Sequence, residues 1–382
     1  MIRCLPLINT GAEGDLLLNR EGQIYLAACS HSPFSKLHRN ALESYQRDLA
    51  EFGNPWDMWV EKIEKSVKLF ATLIHASTEE VFPSFSVSSA LSTVMSSFKY
   101  GRRNRLVLSD LEYPTTNFIF LAQQKHGARV STLRNRKYAL SADAYSKSIS
   151  DRTLLTSAIH VSSLNGFRQD IGEIAAMAHE RGSLFYTDVY QSLGTIPVDV
   201  RKIDADFLAC GNLKYLLGLP GIAFMYVRRE LARRLEPTSI GWFSQKDPFL
   251  FGAKRLDFQD TARRFESGTL SIPSVYAAIE GMRAIIDIGA GRIERHISRL
   301  TQRALDIAHD TGIQTITPLE RGARGAIVSF VVRRPHELEG RLRSMGVITS
   351  SRGIGLRIAP HFYNTVAEID RAVEVIGSMR DT

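Results

Sequence analysis

Between residues 105 and 227 the chain alternates short apolar runs with amphipathic stretches, and this alternation restricts the fold more than any other feature. The runs RLVLSD (105–110), ARVSTLR (128–134), TLLTSAIHVSS (153–163), SLFYTDV (183–189), FLACG (207–211) and GIAFMYVR (221–228) carry the leucine, aromatic and β-branched residues of strands. YPTTNFIFLAQQKHG (113–127) and DIGEIAAMAHERG (170–182) read as helices, each stopped by a glycine. Strand–helix alternation predicts a mostly parallel sheet with helices on both faces. Ligands of such sheets gather at the carboxyl ends of strands, where Asp110, residues 160–163 and Asp188 fall.

The flanks organise around that block. Residues 1–30 read as a non-helical arm with a strand at 24–30. Residues 35–73 read as helix, broken at GNPW (53–56) and restarted with Asp57 as N-cap. Residues 75–81 form a connection, and a serine-rich helix begins near 86–89. An irregular segment spans 229–270, followed by helices at 272–288, with Pro273 in the first turn and Gly289 past the end, and at 293–311. A strand at 326–332, a helix in 335–346, a strand at 355–360 and a closing helix capped by Asn364 or Thr365 complete a small α/β unit. A chain of 382 residues is long for one core. The expected division is a large domain at 30–260 and a small one made of 1–29 with 270–382.

Charge and composition exclude several partners. The net charge is +8, but the basic residues are scattered and form no aromatic-interleaved stripe, so nucleic acid is not an expected partner. No apolar run of about 18 residues suits a membrane span, and the first residues show no signal peptide. Three cysteines (Cys4, Cys29, Cys210) without metal or CxxC spacing suit a reducing cytoplasm, and no metal site is expected.

Residues 208–227, LACGNLKYLLGLPGIAFMYV, place Lys214 inside an apolar segment. A lysine buried there loses proton affinity, and a neutral amine can form an imine with a carbonyl. Asp188 closes the strand upstream. A lysine as imine donor and an aspartate facing a pyridinium nitrogen are the minimum set for pyridoxal phosphate (PLP) chemistry. Ser88 and Ser89, at a predicted helix N-terminus, sit where a phosphate can bind.

Seven segments in order strengthen this reading: SVSSAL (86–91), DLEYPTTN (110–117), HVSSLNG (160–166), TDVYQSLG (187–194), NLKYLLGLPG (212–221), RFESGT (264–269) and LRIAPHFYNT (356–365). Together they resemble the class V aminotransferase group of fold-type I PLP enzymes, which includes cysteine desulfurases, kynureninases and isopenicillin-N-epimerase-like proteins. The resemblance spans nearly the whole chain. It implies a large domain with a mostly parallel seven-stranded sheet flanked by helices, a small α/β domain, and a homodimer with shared sites. It implies that Lys214 forms the imine with PLP and moves the substrate Cα proton. Asp188 pairs with the ring nitrogen, Gln191 with the ring hydroxyl, and Tyr113 stacks on the ring. Ser88 and Ser89 hold the phosphate, Thr269 reaches the phosphate of the neighbouring subunit, and Ser163 stands near the ring hydroxyl. Arg357 pairs with the substrate carboxylate, and His31 on the early loop enters the site as an acid or base.

Two departures from the family pattern matter. Leu213 stands where relatives have His or Tyr before the lysine, and Asn212 is the substitute phosphate contact. The loop 346–355 lacks the cysteine of desulfurases, which argues against persulfide chemistry. The implied function is action on a small amino-acid-like substrate through an imine and a Cα carbanion. Transamination comes first because it needs nothing beyond these residues. A C–S or C–C lyase, an epimerase and a catalytically degenerate binding protein remain as alternatives.

Overall fold

The computed structural model describes residues 22–252 and 254–380; Cys4 and the first 21 residues of the predicted arm lie outside them. Strand β1 is Ile24–Tyr25. The central sheet is built from β2 (Val81–Ser84), β3 (Arg105–Ser109), β4 (Arg129–Leu133), β5 (Thr153–Ser157), β6 (Leu184–Asp188), β7 (Phe207–Gly211) and β8 (Ala223–Val227). Its seven strands run in the order β2-β8-β7-β6-β5-β3-β4. The pairs among β3 to β7 are parallel, whereas β8 runs antiparallel to both β7 and β2. The reversal has a local cause. A parallel return needs a crossover, usually a helix, and the β7–β8 connection at 212–222 contains none. That connection carries Lys214.

Burial on both faces explains the continuous apolar runs. In β7, Leu208 and Cys210 pack with Phe70, Val189 and Phe224 on one side, while Phe207 and Ala209 pack with Phe82, Leu106 and Tyr186 on the other. Strand β2 was hidden in a stretch read as connection and helix start. Pro83 cannot donate to a ladder on both sides, and β2 lies at the sheet edge, where this is tolerated.

Helices Lys36–Phe52 and Trp56–Ile74 break at GNPW as expected, but the second is capped at Pro55, and Asp57 falls in its first turn instead. Ser86 caps the helix Val87–Met95 by accepting from the Ser89 amide at 3.1 Å. The expected helix after the irregular segment is Ile272–Ile288, followed by Ala290–Asp310. A second sheet joins β9 (Val328–Val331), β11 (Ser350–Arg352) and β12 (Gly355–Ile358) in the antiparallel order β11-β12-β9, and β10 (Val347–Ile348) pairs with β1. Helices Pro335–Ser344 and Val366–Met379 accompany this sheet, the latter capped by Thr365. Its core contains Leu300, Phe330, Leu342, Leu356 and Ile369. Several of the sequence-read strands are shorter than expected, β1 and β5 most of all: β1 keeps two residues of 24–30, and β5 ends at Ser157 instead of Ser163. The tail of the latter remains attached through the His160 amide, which donates to the Asp188 carbonyl at 3.0 Å. Among the described residues no helix is long and apolar enough to cross a membrane.

Candidate active site

The carboxyl ends of β5, β6 and β7 open onto a cavity of about 360 Å³. It is lined by Lys214, Asp188, Gln191, Tyr113, Ser163 and Ser88 among others, so six of the sequence-read residues converge on one space. Larger clefts of about 550 and 920 Å³ open near Arg324 and near Asp170, but neither contains a buried lysine.

Lys214 enters from the β7–β8 connection. The early loop and the helix after it clamp that connection: the Ser32 amide donates to the Leu213 carbonyl at 2.8 Å, and His38 Nε2 lies 3.3 Å from the Gly218 carbonyl. From behind, Gly281 lets the helix Ile272–Ile288 close on the carbonyls of Leu216 and Leu217. The Lys214 amine faces the cavity but is surrounded by protein, and burial lowers its pKa, against the opposing pull of Asp188. Its Nζ lies 4.2 Å from the Tyr190 ring centroid and 5.5 Å from that of Tyr113.

Asp188 ends β6. Burial pushes its carboxyl up to about 6, although the Tyr190 amide, donating at 2.8 Å, and Lys214 favour its charged form. Gln191 donates to the Cys29 carbonyl at 3.0 Å, while its buried Oε1 has no partner. On the opposite wall, the helices Val87–Met95 and Pro114–Ala122 both begin at the cavity. Their Ser88 and Thr115 hydroxyls lie 3.2 Å apart, and Ser86 lines the wall beside them. Hydroxyls and free helix-start amides together favour an anion.

Five sequence-read residues do not line this cavity. Ser89 is half-buried in the first turn, its amide taken by Ser86. Asn212 is buried against Gly218, and both its side-chain polar atoms lack partners. Thr269 is exposed on the surface of the chain. His31 is half-buried, with its ring Nδ1 on the Ser32 carbonyl. Arg357 is fully buried on β12: Nη1 donates to the Ser163 carbonyl and Nη2 to Ser350 Oγ at 2.8 Å, while Nε has no partner. Arg357 thus sits directly behind the cavity wall at Ser163.

The structure also adds residues that the sequence did not single out. Tyr190 lies between Asp188 and Gln191, and its ring fills the space left by the missing side chain of Gly211. Glu112 is buried beneath the site, accepts from Ser157 Oγ at 3.0 Å, and is pushed up to about 8 by burial and by Asp188. The register of Tyr190, two residues past the strand-end aspartate, was a legible signal; a single glutamate before a tyrosine was not.

A lysine with lowered proton affinity, a buried carboxylate, an aromatic face and a hydroxyl-lined anion wall can bind a planar, phosphorylated aldehyde and handle protons beside it. Comparison with known proteins points the same way. A family model described as Aminotransferase class-V matches residues 36–371. An uncharacterized aminotransferase, YcbU of Bacillus subtilis, is 36% identical over 353 residues, covering 92% of this chain and 93% of its own. A kynureninase of Bacillus anthracis is 28% identical, covering 94% and 88%. A probable cysteine desulfurase of Halobacterium salinarum is 31% identical, covering 63% and 61%. The apo structure of a cysteine desulfurase from Thermococcus onnurineus superposes with a TM-score of 0.85 over 94% of both chains at 24% identity, a likeness of fold.

Proposed function

The chain belongs to the class-V aminotransferase family of PLP-dependent enzymes, and from that premise we propose that it is an aminotransferase acting on a small amino-acid substrate. The observation that carries this reading is the buried Lys214, its proton affinity lowered, sharing one cavity with Asp188.

The residues present fit the cofactor. The buried, unpartnered Oε1 of Gln191 would accept from a ring hydroxyl. The hydroxyls of Ser86, Ser88 and Thr115 gather where two helices start, as a phosphate requires. We assign Lys214 to the aldehyde carbon, Asp188 to the ring nitrogen, Gln191 and Ser163 to the ring oxygen, and Tyr113 to the ring face. Ser88 and Ser89 take the phosphate, with Asn212 in reserve behind Leu213. When bound, PLP supplies an electron sink for negative charge at the substrate Cα.

The chain's own residues supply the rest. Burial lowers the proton affinity of the Lys214 amine, which favours its moving a proton to and from Cα. The Tyr190 amide and the strand end hold Asp188 in place. We assign Arg357, held behind the cavity wall through Ser163 and Ser350, to the substrate carboxylate, and His31 to the cavity entrance. Thr269, exposed and not lining its own cavity, suits service to the phosphate of a neighbouring protomer, and we propose a homodimer with shared sites. The free thiols of Cys29 and Cys210 suit a cytoplasmic location.

A second reading, a C–S or C–C lyase, is favoured by the relatives named desulfurase and kynureninase. Persulfide formation does not suit the cysteine-free loop 346–355, and the nearby Cys29 is buried with Sγ 3.4 Å from Ser350 Oγ. Product analysis separates the two. A keto acid that accumulates only when a second keto acid is supplied as amino acceptor is the expected result. Pyruvate or alanine released with sulfide or another leaving group, without an acceptor, overturns transamination.

A further inference from the structure

The hairpin of β11 and β12 carries a second arginine, Arg352, which reaches the Tyr113 ring that lines the cavity. Ser350 pairs with Arg357 across the hairpin, and Arg352 pairs with Gly355. Residues two apart on a strand share a face, so Arg352 follows Ser350 on the side where Ser350 Oγ receives Arg357 Nη2. The turn at Gly353, with φ 56°, rests against Leu164, next to the cavity-lining Ser163.

The Arg352 guanidinium lies 5.8 Å from the Tyr113 ring centroid, and Lys214 Nζ lies 5.5 Å from the same centroid. Two cations therefore flank one ring that lines the cavity. They differ in their surroundings. Lys214 is enclosed, and Arg357 is buried with both Nη atoms bonded to protein. The Arg352 side chain is exposed and, apart from the ring, takes part in no ion pair or hydrogen bond among the described residues. A planar guanidinium held over an aromatic face, with its donors free, is arranged for a carboxylate or a similar oxyanion.

We propose that Arg352 is a specificity-determining residue that binds a second anionic group on the substrate side chain, so that the preferred substrates are acidic α-amino acids of about the size of aspartate or glutamate. This rests on the aminotransferase-family reading of the cavity. The amine would meet the Lys214 side of Tyr113, the α-carboxylate Arg357, and the side-chain anion Arg352. No neutral amino acid uses all three.

The test uses the PLP-loaded enzyme and the change in its visible absorbance on adding aspartate, glutamate or alanine. Arg352→Ala is expected to weaken aspartate and glutamate by about tenfold or more, the worth of one charge-assisted contact, and to leave alanine within about twofold. Arg352→Lys should recover part of the loss, because it keeps the charge without the fork. Arg352→Glu should reverse the preference. Equal weakening of all three amino acids would mean that Arg352 holds the α-carboxylate, and unchanged affinities would mean that it holds nothing; either overturns the proposal while leaving the family reading intact. A wild-type enzyme that takes up PLP but responds to no amino acid overturns the underlying reading and the proposal with it. Because Arg352 is exposed and unbonded, loss of folding does not confuse the result.

Discussion

Replacing Glu112 with glutamine probes the charge buried under the site. Glu112 is 5% exposed, takes one hydrogen bond from Ser157, and leaves Oε2 without a partner. Burial first, and the neighbouring Asp188 second, push its carboxyl from the ordinary 4.5 up to about 8. The carboxyl is therefore neutral at pH 7 in the folded chain and ionised in the unfolded one. The folded-state value is raised, so its stabilising effect is fully present below about pH 4.5 and is lost as pH rises through 8. Between those limits each pH unit costs a little over 1 kcal/mol, so the whole window is worth a few kcal/mol. Glutamine has nearly the same shape, still accepts from Ser157 and does not titrate. Asp188 titrates in both proteins toward about 6, so the comparison belongs above that pH. Denaturant unfolding of the cofactor-free chain at several pH values measures it. The variant's advantage over wild type should grow by about 2–3 kcal/mol between pH 6 and pH 8 to 9. Parallel stability curves for the two proteins across this range would refute the reasoning, because Glu112 would then be ionised already or exposed to water.

Three further perturbations test how the site is held. Gly281→Ala gains about 1 kcal/mol of helix propensity, but its Cβ would collide with the Leu216 carbonyl and lie 2.7 Å from that of Leu217. Overpacking against backbone costs about 1–3 kcal/mol or more, so a net loss in thermal stability and weaker PLP uptake are expected; a stabilised variant would contradict this packing. Gly211→Ala drives a methyl group into the Tyr190 ring and should displace it from Lys214, weakening PLP binding about tenfold. Adding Tyr190→Ala should restore much of the loss in a double-mutant cycle, and strictly additive effects would show that the two residues do not compete for space. Arg357→Ala should weaken amino-acid binding far more than PLP binding in equilibrium titrations, whereas equal losses would make the arginine purely structural.

Much of this arrangement was readable in residue order. Continuous apolar runs buried on both faces define β3 and β5 to β8, and a strand-end position places Asp188 at the cavity. The apolar setting of Lys214 marks its amine as unusual before any contact is known. What was not readable depends on partners distant in sequence. Strands β2 and β10 are short, and each exists through a neighbour far along the chain. Thr115 joins Ser88 only because two helices start side by side. Glu112 carries no local pattern, and its behaviour comes from burial beside Asp188. Arg357 was located on the right strand, yet its bond to Ser350 follows from the hairpin register, which also sets Arg352 on the same face.

The central claim is that Lys214 is the residue that holds PLP. Borohydride reduction of the PLP-loaded protein, followed by proteolysis and mass spectrometry, tests it directly. The account predicts a reduced pyridoxyl phosphate group on the peptide containing Lys214, and none anywhere in Lys214→Ala. A label on another lysine, or an unlabelled protein that shows no visible absorbance with PLP, would contradict it.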